Sequence, residues 1–107
     1  MTSTTQTEQR ISARIKALAL RRNMTPEAIE HAACVWALIH RDSAPRSVQT
    51  LFTGKPGTYS KRARLLASAF LIAYTEALDR ILALGRDDPV DASICWQVAL
   101  QLAGGAA

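Results

Sequence analysis

The sequence predicts an all-α protein folded as a single compact bundle of about five helices. Three observations lead there. Apolar residues recur at spacings of three and four along most of the chain. No stretch alternates with the two-residue period of a half-buried strand. The interruptions fall at Pro, Gly, Asp and Ser clusters, which stop helices and restart them. At 107 residues the chain has the length of one domain and enough of it to bury an ordinary core.

Residues 1–7, rich in Ser and Thr, are expected to be disordered, residues 8–103 to form the helical domain, and residues 104–107 to be a flexible tail. The first helix runs from Glu8 to Arg22, with Ile11, Ile15 and Leu18 on its inner face. Thr25-Pro26-Glu27-Ala28 starts the second, because Thr25 can cap and Pro26 fits the first helical position. Its inner face carries Ile29, Ala32, Ala33, Trp36, Ile39 and His40, and it ends near Arg41. Ser43 is a cap for a short helix through Thr53, with Val48, Leu51 and Phe52 inward. Gly54-Lys55-Pro56-Gly57 is a loop.

A long helix then begins near Ser60, spaces Leu66, Phe70, Ala73, Ala77, Ile81 and Leu84 along one side, and closes at Arg86. For the last helix, Asp88 is the expected cap and Pro89 the first position, with Ile94, Cys95, Val98 and Leu102 buried. The two glycines after Ala103 end it.

Composition excludes several classes. Hydrophobic residues make up 49% and charged residues 21%, which fits neither a disordered chain nor a membrane protein. The longest largely apolar stretch, Leu65–Tyr74, has ten residues including Ser68, against about 20 for a bilayer-spanning helix. Met1–Glu8 is polar and no apolar stretch follows a basic start, so the expected location is the cytoplasm and no membrane partner is expected. There Cys34 and Cys95 stay reduced, as small buried hydrophobes.

The net charge of +4 is unevenly spread. Residues 1–64 hold eleven Lys/Arg against four Asp/Glu, a net of +7, whereas residues 65–107 hold two Arg against five Asp/Glu, a net of −3. A basic end on an acidic body suits a protein that meets a polyanion on one side, although a solvated face with no partner has the same composition.

Little in the chain could carry catalysis, and no enzyme is expected. His31 and Cys34 are spaced for one helix face, but two ligands do not hold a metal and no third is at hand. Gly54-Lys55-Pro56-Gly57 lacks the preceding strand and spacing of a phosphate loop. Neither a metal nor another cofactor is expected. The stretch from Ser43 to Tyr74 says more. Its short helix exposes Arg46, Ser47, Gln49 and Thr50, a basic loop carries Lys55, and the next helix opens with Ser60, Lys61, Arg62 and Arg64. Arg and Gln can pair with guanine and adenine edges, while Lys, Ser and a helix N-terminus take phosphates. A short connecting helix with a polar outer face would look the same.

Val48-Gln49-Thr50-Leu51-Phe52-Thr53-Gly54-Lys55-Pro56, followed by Tyr59-Ser60 and Arg64, resembles the recognition helix and following loop of lac-repressor-type headpieces. Those read TVSxxLNGKP, then VS, then an arginine four residues after that serine. The resemblance implies that Ser47, Gln49 and Thr50 face bases, that Lys55, Ser60 and Arg64 face phosphates, and that Val48 and Leu51 are core. Upstream, Ile15 to Val35 is similar to the opening of phage-repressor domains, where a basic helix precedes a T-x-E-x-(I/L)-x-x-A helix. Two features depart from the helix-turn-helix pattern: Cys34 stands where a glycine makes the turn, and residues 36–42 separate Val35 from Ser43.

Two classes of function remain. One is a small DNA-binding transcriptional regulator, helix-turn-helix-like, phage or plasmid borne, and a homodimer if the apolar side of the long helix is a seam rather than core. The other is a small helical inhibitor or adaptor from a mobile element that binds a host protein or ribonucleoprotein, with Trp36 or Trp96 as interface anchors.

Overall fold

A computed structural model describes residues 4–104, and among them there are five α-helices and no strand. The expectations for residues 1–3 and 105–107 lie outside the described residues. Helix α1 (Thr4–Arg22) starts a turn ahead of Glu8. Thr7 in this extra turn is buried and lies beside Gly104, just past the end of the last helix. Asn23 ends the helix at φ 55, with the Asn23 N–H donating to the Leu20 carbonyl and the Met24 N–H to the Ala19 carbonyl. That pair of bonds is the left-handed closure usually given to glycine, and Asn is the other residue that tolerates it.

Helix α2 (Pro26–Ile39) begins as its sequence predicts, the Thr25 hydroxyl accepting from the Ala28 N–H at 3.1 Å. Ile29, Ala33, Cys34 and Ala37 face inward, whereas Ile39 is 61% exposed. A 3₁₀ turn, Arg41–Ser43, follows directly. Ser43 therefore ends a turn instead of capping a helix. Pro45 then precedes α3 (Arg46–Gln49), a single turn where the sequence predicted a helix to Thr53. Val48 and Phe52 are buried all the same. A second 3₁₀ turn, Pro56–Thr58, leads to α4 (Lys61–Ala83), capped by the Ser60 hydroxyl accepting from the Ala63 N–H at 3.2 Å. Gly85, at φ 66, closes α4, with N–H donations from Gly85 to the Leu82 carbonyl and from Arg86 to the Ile81 carbonyl.

Helix α5 (Ala92–Leu102) corrects two expectations. Its cap is Asp91, whose Oδ1 accepts from the Ser93 and Ile94 N–H groups at 3.0 and 3.3 Å, so Asp88 and Pro89 stay in the linker. Asp88 precedes a proline, and Val90, which follows it, is half-buried against the core instead of entering the helix. The buried face of α5 is Cys95, Trp96 and Ala99, while Ile94 and Val98 are 55% and 38% exposed.

The core sits where α4 packs against α5 and α2. Trp96 is fully buried and stacks on Phe70 with ring centroids 4.1 Å apart and planes 21° apart. Phe52 lies 5.5 Å away, and the Trp96 indole N–H donates to the His40 carbonyl at 2.9 Å. Leu66, Phe70 and Ala73, the centre of the apolar side of α4, are buried inside this bundle. Leu84, at the end of that series, is 71% exposed.

Truncating Trp96 to alanine is expected to lower the unfolding free energy by about 3–5 kcal/mol. Trp96→Phe, which keeps a ring but loses the donor, should lose about 1–2 kcal/mol. Urea denaturation measures both, and a Trp96→Ala midpoint equal to wild type would refute the central placement of this ring.

Candidate nucleic-acid interface

The polar residues predicted to meet DNA fall in three places. On the α3 segment, Arg46, Ser47, Thr50 and Lys55 are exposed and Gln49 is half-buried. Several of their polar groups are already engaged. The Gln49 amide donates to the Ala44 carbonyl at 2.9 Å, and the Thr50 hydroxyl donates to the Ser47 carbonyl at 2.9 Å. Arg41, half-buried, donates to the Phe52 carbonyl at 3.1 Å and ties the far end of the segment to the turn after α2. Val48 is buried and Leu51 half-buried. Between the end of α2 at Ile39 and the start of α3 at Arg46 the chain runs through a 3₁₀ turn and Pro45.

The first turn of α4 splits its cations between two sides. Lys61 pairs with Glu8 of α1 at 3.3 Å. Arg64 lies with Lys61, Glu8 and Glu30 along a groove of about 240 Å³ floored by Ile11 and Ile15. Burial pushes the nearby Cys34 thiol up, and the Arg64 charge partly opposes it. The Ser60 oxygen is occupied by its capping bond. Arg62 instead lines a different cleft, of about 340 Å³, together with Arg10 and Thr7 of α1 and Gln101 of α5. Sequence reasoning missed Arg10 as Arg62's neighbour. Its only signal was one more basic residue on α1, because which turn of α1 crosses α4 is set by packing.

A further surface is apolar. Leu18, Met24, Trp36, Leu71, Tyr74 and Leu78 line a trough of about 280 Å³ between α1, α2 and α4, with Arg22 on its rim. Beneath it His40 lies among aromatic rings, with centroids 5.0 Å from Trp36, 5.2 Å from Tyr74 and 5.7 Å from Phe70. Trp36 Nε1, His40 Nε2 and Tyr59 Oη are buried without a hydrogen-bond partner among the described residues. Burial lowers the His40 pKa and raises those of Tyr59 and Cys95. His31 is exposed while Cys34 is buried, so the two do not share a surface, and no group of three or more His, Cys, Asp or Glu is gathered among the described residues. Glu76 of α4 pairs with Arg14 of α1.

Compared with known proteins, the chain matches no family model, no curated protein and no solved structure.

His40 gives a pH test of this interior. Its folded pKa is below the ordinary value of about 6.5, so at falling pH the unfolded chain takes up the proton first. Stability from this group is intact above about pH 6.5 and is lost as pH falls from there through the lowered folded pKa. Denaturation of wild type and His40→Gln at pH values on both sides of that window checks it. The variant should lose less stability on acidification, and parallel losses would show that His40 is not the group responsible.

Proposed function

We propose that this protein is a small DNA-binding regulator that meets the phosphate backbone with its basic side. The observation that supports the reading is the pairing of its charges. The ion pairs among the described residues engage Arg14, Lys61 and Arg86. Arg10, Lys16, Arg21, Arg22, Arg46, Lys55, Arg62 and Arg64 are exposed and enter none of them. Unpaired surface cations in this number supply the sequence-independent part of DNA affinity through counterion release. Base readout has less to draw on, since Gln49 and Thr50 bond to their own segment and α3 is one turn long. Arg46 and Ser47 are the groups left to touch base edges. Positioning by phosphate contacts therefore carries most of the proposed affinity.

The apolar trough favours a second reading, a helical inhibitor or adaptor that binds another protein. Met24 is 46% exposed on its wall, and contiguous apolar surface of this kind is where partners anchor.

Fluorescence anisotropy with genomic DNA fragments at several salt concentrations separates the two. Under the first reading, log K falls steeply and linearly with log salt, by about 0.9 per phosphate neutralised. Arg46→Ala with Lys55→Ala should then weaken binding about tenfold or more across unrelated sequences. Absence of any salt-sensitive binding would end the DNA reading. A stoichiometric host-protein complex broken by Met24→Asp, and indifferent to Arg46→Ala with Lys55→Ala, would establish the second.

A further inference from the structure

We infer that the cleft joining the N-terminal part of α1, the first turn of α4 and the C-terminal end of α5 is a seat for a phosphate oxyanion. It extends the DNA reading by naming where one phosphodiester group sits, and rests on that reading for the ligand's source. Arg10 and Arg62 approach the cleft from different helices, and its lining is mostly polar, with Leu65 and Leu102 among the residues around it. Long arginine stems can lie against those two leucines and keep their guanidinium forks in the open space, where each fork can bind two phosphate oxygens.

Both arginines lack an internal counter-charge. Neither enters an ion pair among the described residues, no acidic side chain lines the cleft, and Glu8, next to Thr7 on α1, is paired with Lys61. A structural role in neutralising the end of α5 is too small to explain two arginines. The carbonyl end of α5 carries about half a negative charge, and the amide end of α4, reaching the same cleft through Arg62, carries about half a positive one. These opposed partial charges largely offset, and two full positive charges remain to set the field. The space, about 340 Å³, exceeds several times the roughly 30 Å³ of one water, so a partly hydrated phosphate group fits.

The test uses the full chain and two probes. In the first, the Arg Nε–Hε resonances are followed by NMR while inorganic phosphate replaces chloride at constant ionic strength. Arg10 and Arg62 should shift in a saturable way, with Arg21 and Arg22 as exposed controls that do not. Arg10→Lys and Arg62→Lys keep the charge but lose the fork, and each should weaken the saturation. In the second, the salt slope of DNA binding is compared between wild type and Arg10→Gln with Arg62→Gln; it should drop by about 0.9 for each phosphate that the variant no longer neutralises. Saturation with an altered slope assigns the seat to a nucleic-acid phosphodiester. Saturation with an unchanged slope supports the seat and assigns it to a free phosphate or small phosphate ester. Saturation in a protein that shows no salt-dependent DNA binding would sink the DNA reading and leave the seat standing. No saturable shift at Arg10 or Arg62 in the wild-type chain overturns the inference, and that measurement stands even if the double glutamine variant does not fold.

Discussion

The bundle depends on where one indole nitrogen finds its acceptor. Trp96 is the largest fully buried side chain, and its N–H would be an expensive orphan in an apolar interior without the His40 carbonyl. That one bond joins α5 to the end of α2, while the ring itself stacks on α4 and borders Phe52 from the segment after α3. A single side chain thus fixes four parts of the chain relative to one another. The rotation of α5 about its own axis follows, because burying Trp96 with Cys95 and Ala99 leaves Ile94 and Val98 facing outward.

That constraint also shapes the charged surface. With α4 held between α5 and α2, the remaining side of α4 is covered by α1. Helix α1 brings its own cations and acids to the first turns of α4. Glu8 draws Lys61 to one side, and Glu76 draws Arg14. The exposed pairs themselves add little stability; their effect is to decide which arginines are left over. Arg10 and Arg62 are left on one side, and Arg64 on the other, beside Glu30.

Helix starts that announce themselves locally were legible in the sequence. Thr25 before Pro26, and Ser60 before the long apolar series, cap as their side chains dictate. Where two local signals compete, sequence alone picks wrongly. Asp88-Pro89 looked like the better start, yet Asp91 caps α5, because Val90 packs against the core in the linker. The inner face of α5 was misread for a related reason: Ile94 and Val98 satisfy the helical period, but the period cannot weigh an indole that needs a carbonyl 56 residues away. Among the candidate site residues, the sequence identified exposed cations such as Arg46, Lys55 and Arg62. It could not see Gln49 bonding back to Ala44, nor Arg10 meeting Arg62, since both are consequences of packing geometry.

The position of Trp96 in the order of synthesis has one more consequence. Phe52 and Phe70 are made well before the ring that covers them, and domains generally consolidate from the N-terminus as the chain emerges. Until α5 arrives, a nascent chain carries two uncovered aromatic rings beside a carbonyl that lacks its indole donor. That unfinished surface is the kind a chaperone recognises, and any fragment ending before residue 96 keeps it open permanently. A prematurely terminated copy of this protein is therefore expected to be cleared or to aggregate, not to persist as a smaller working version.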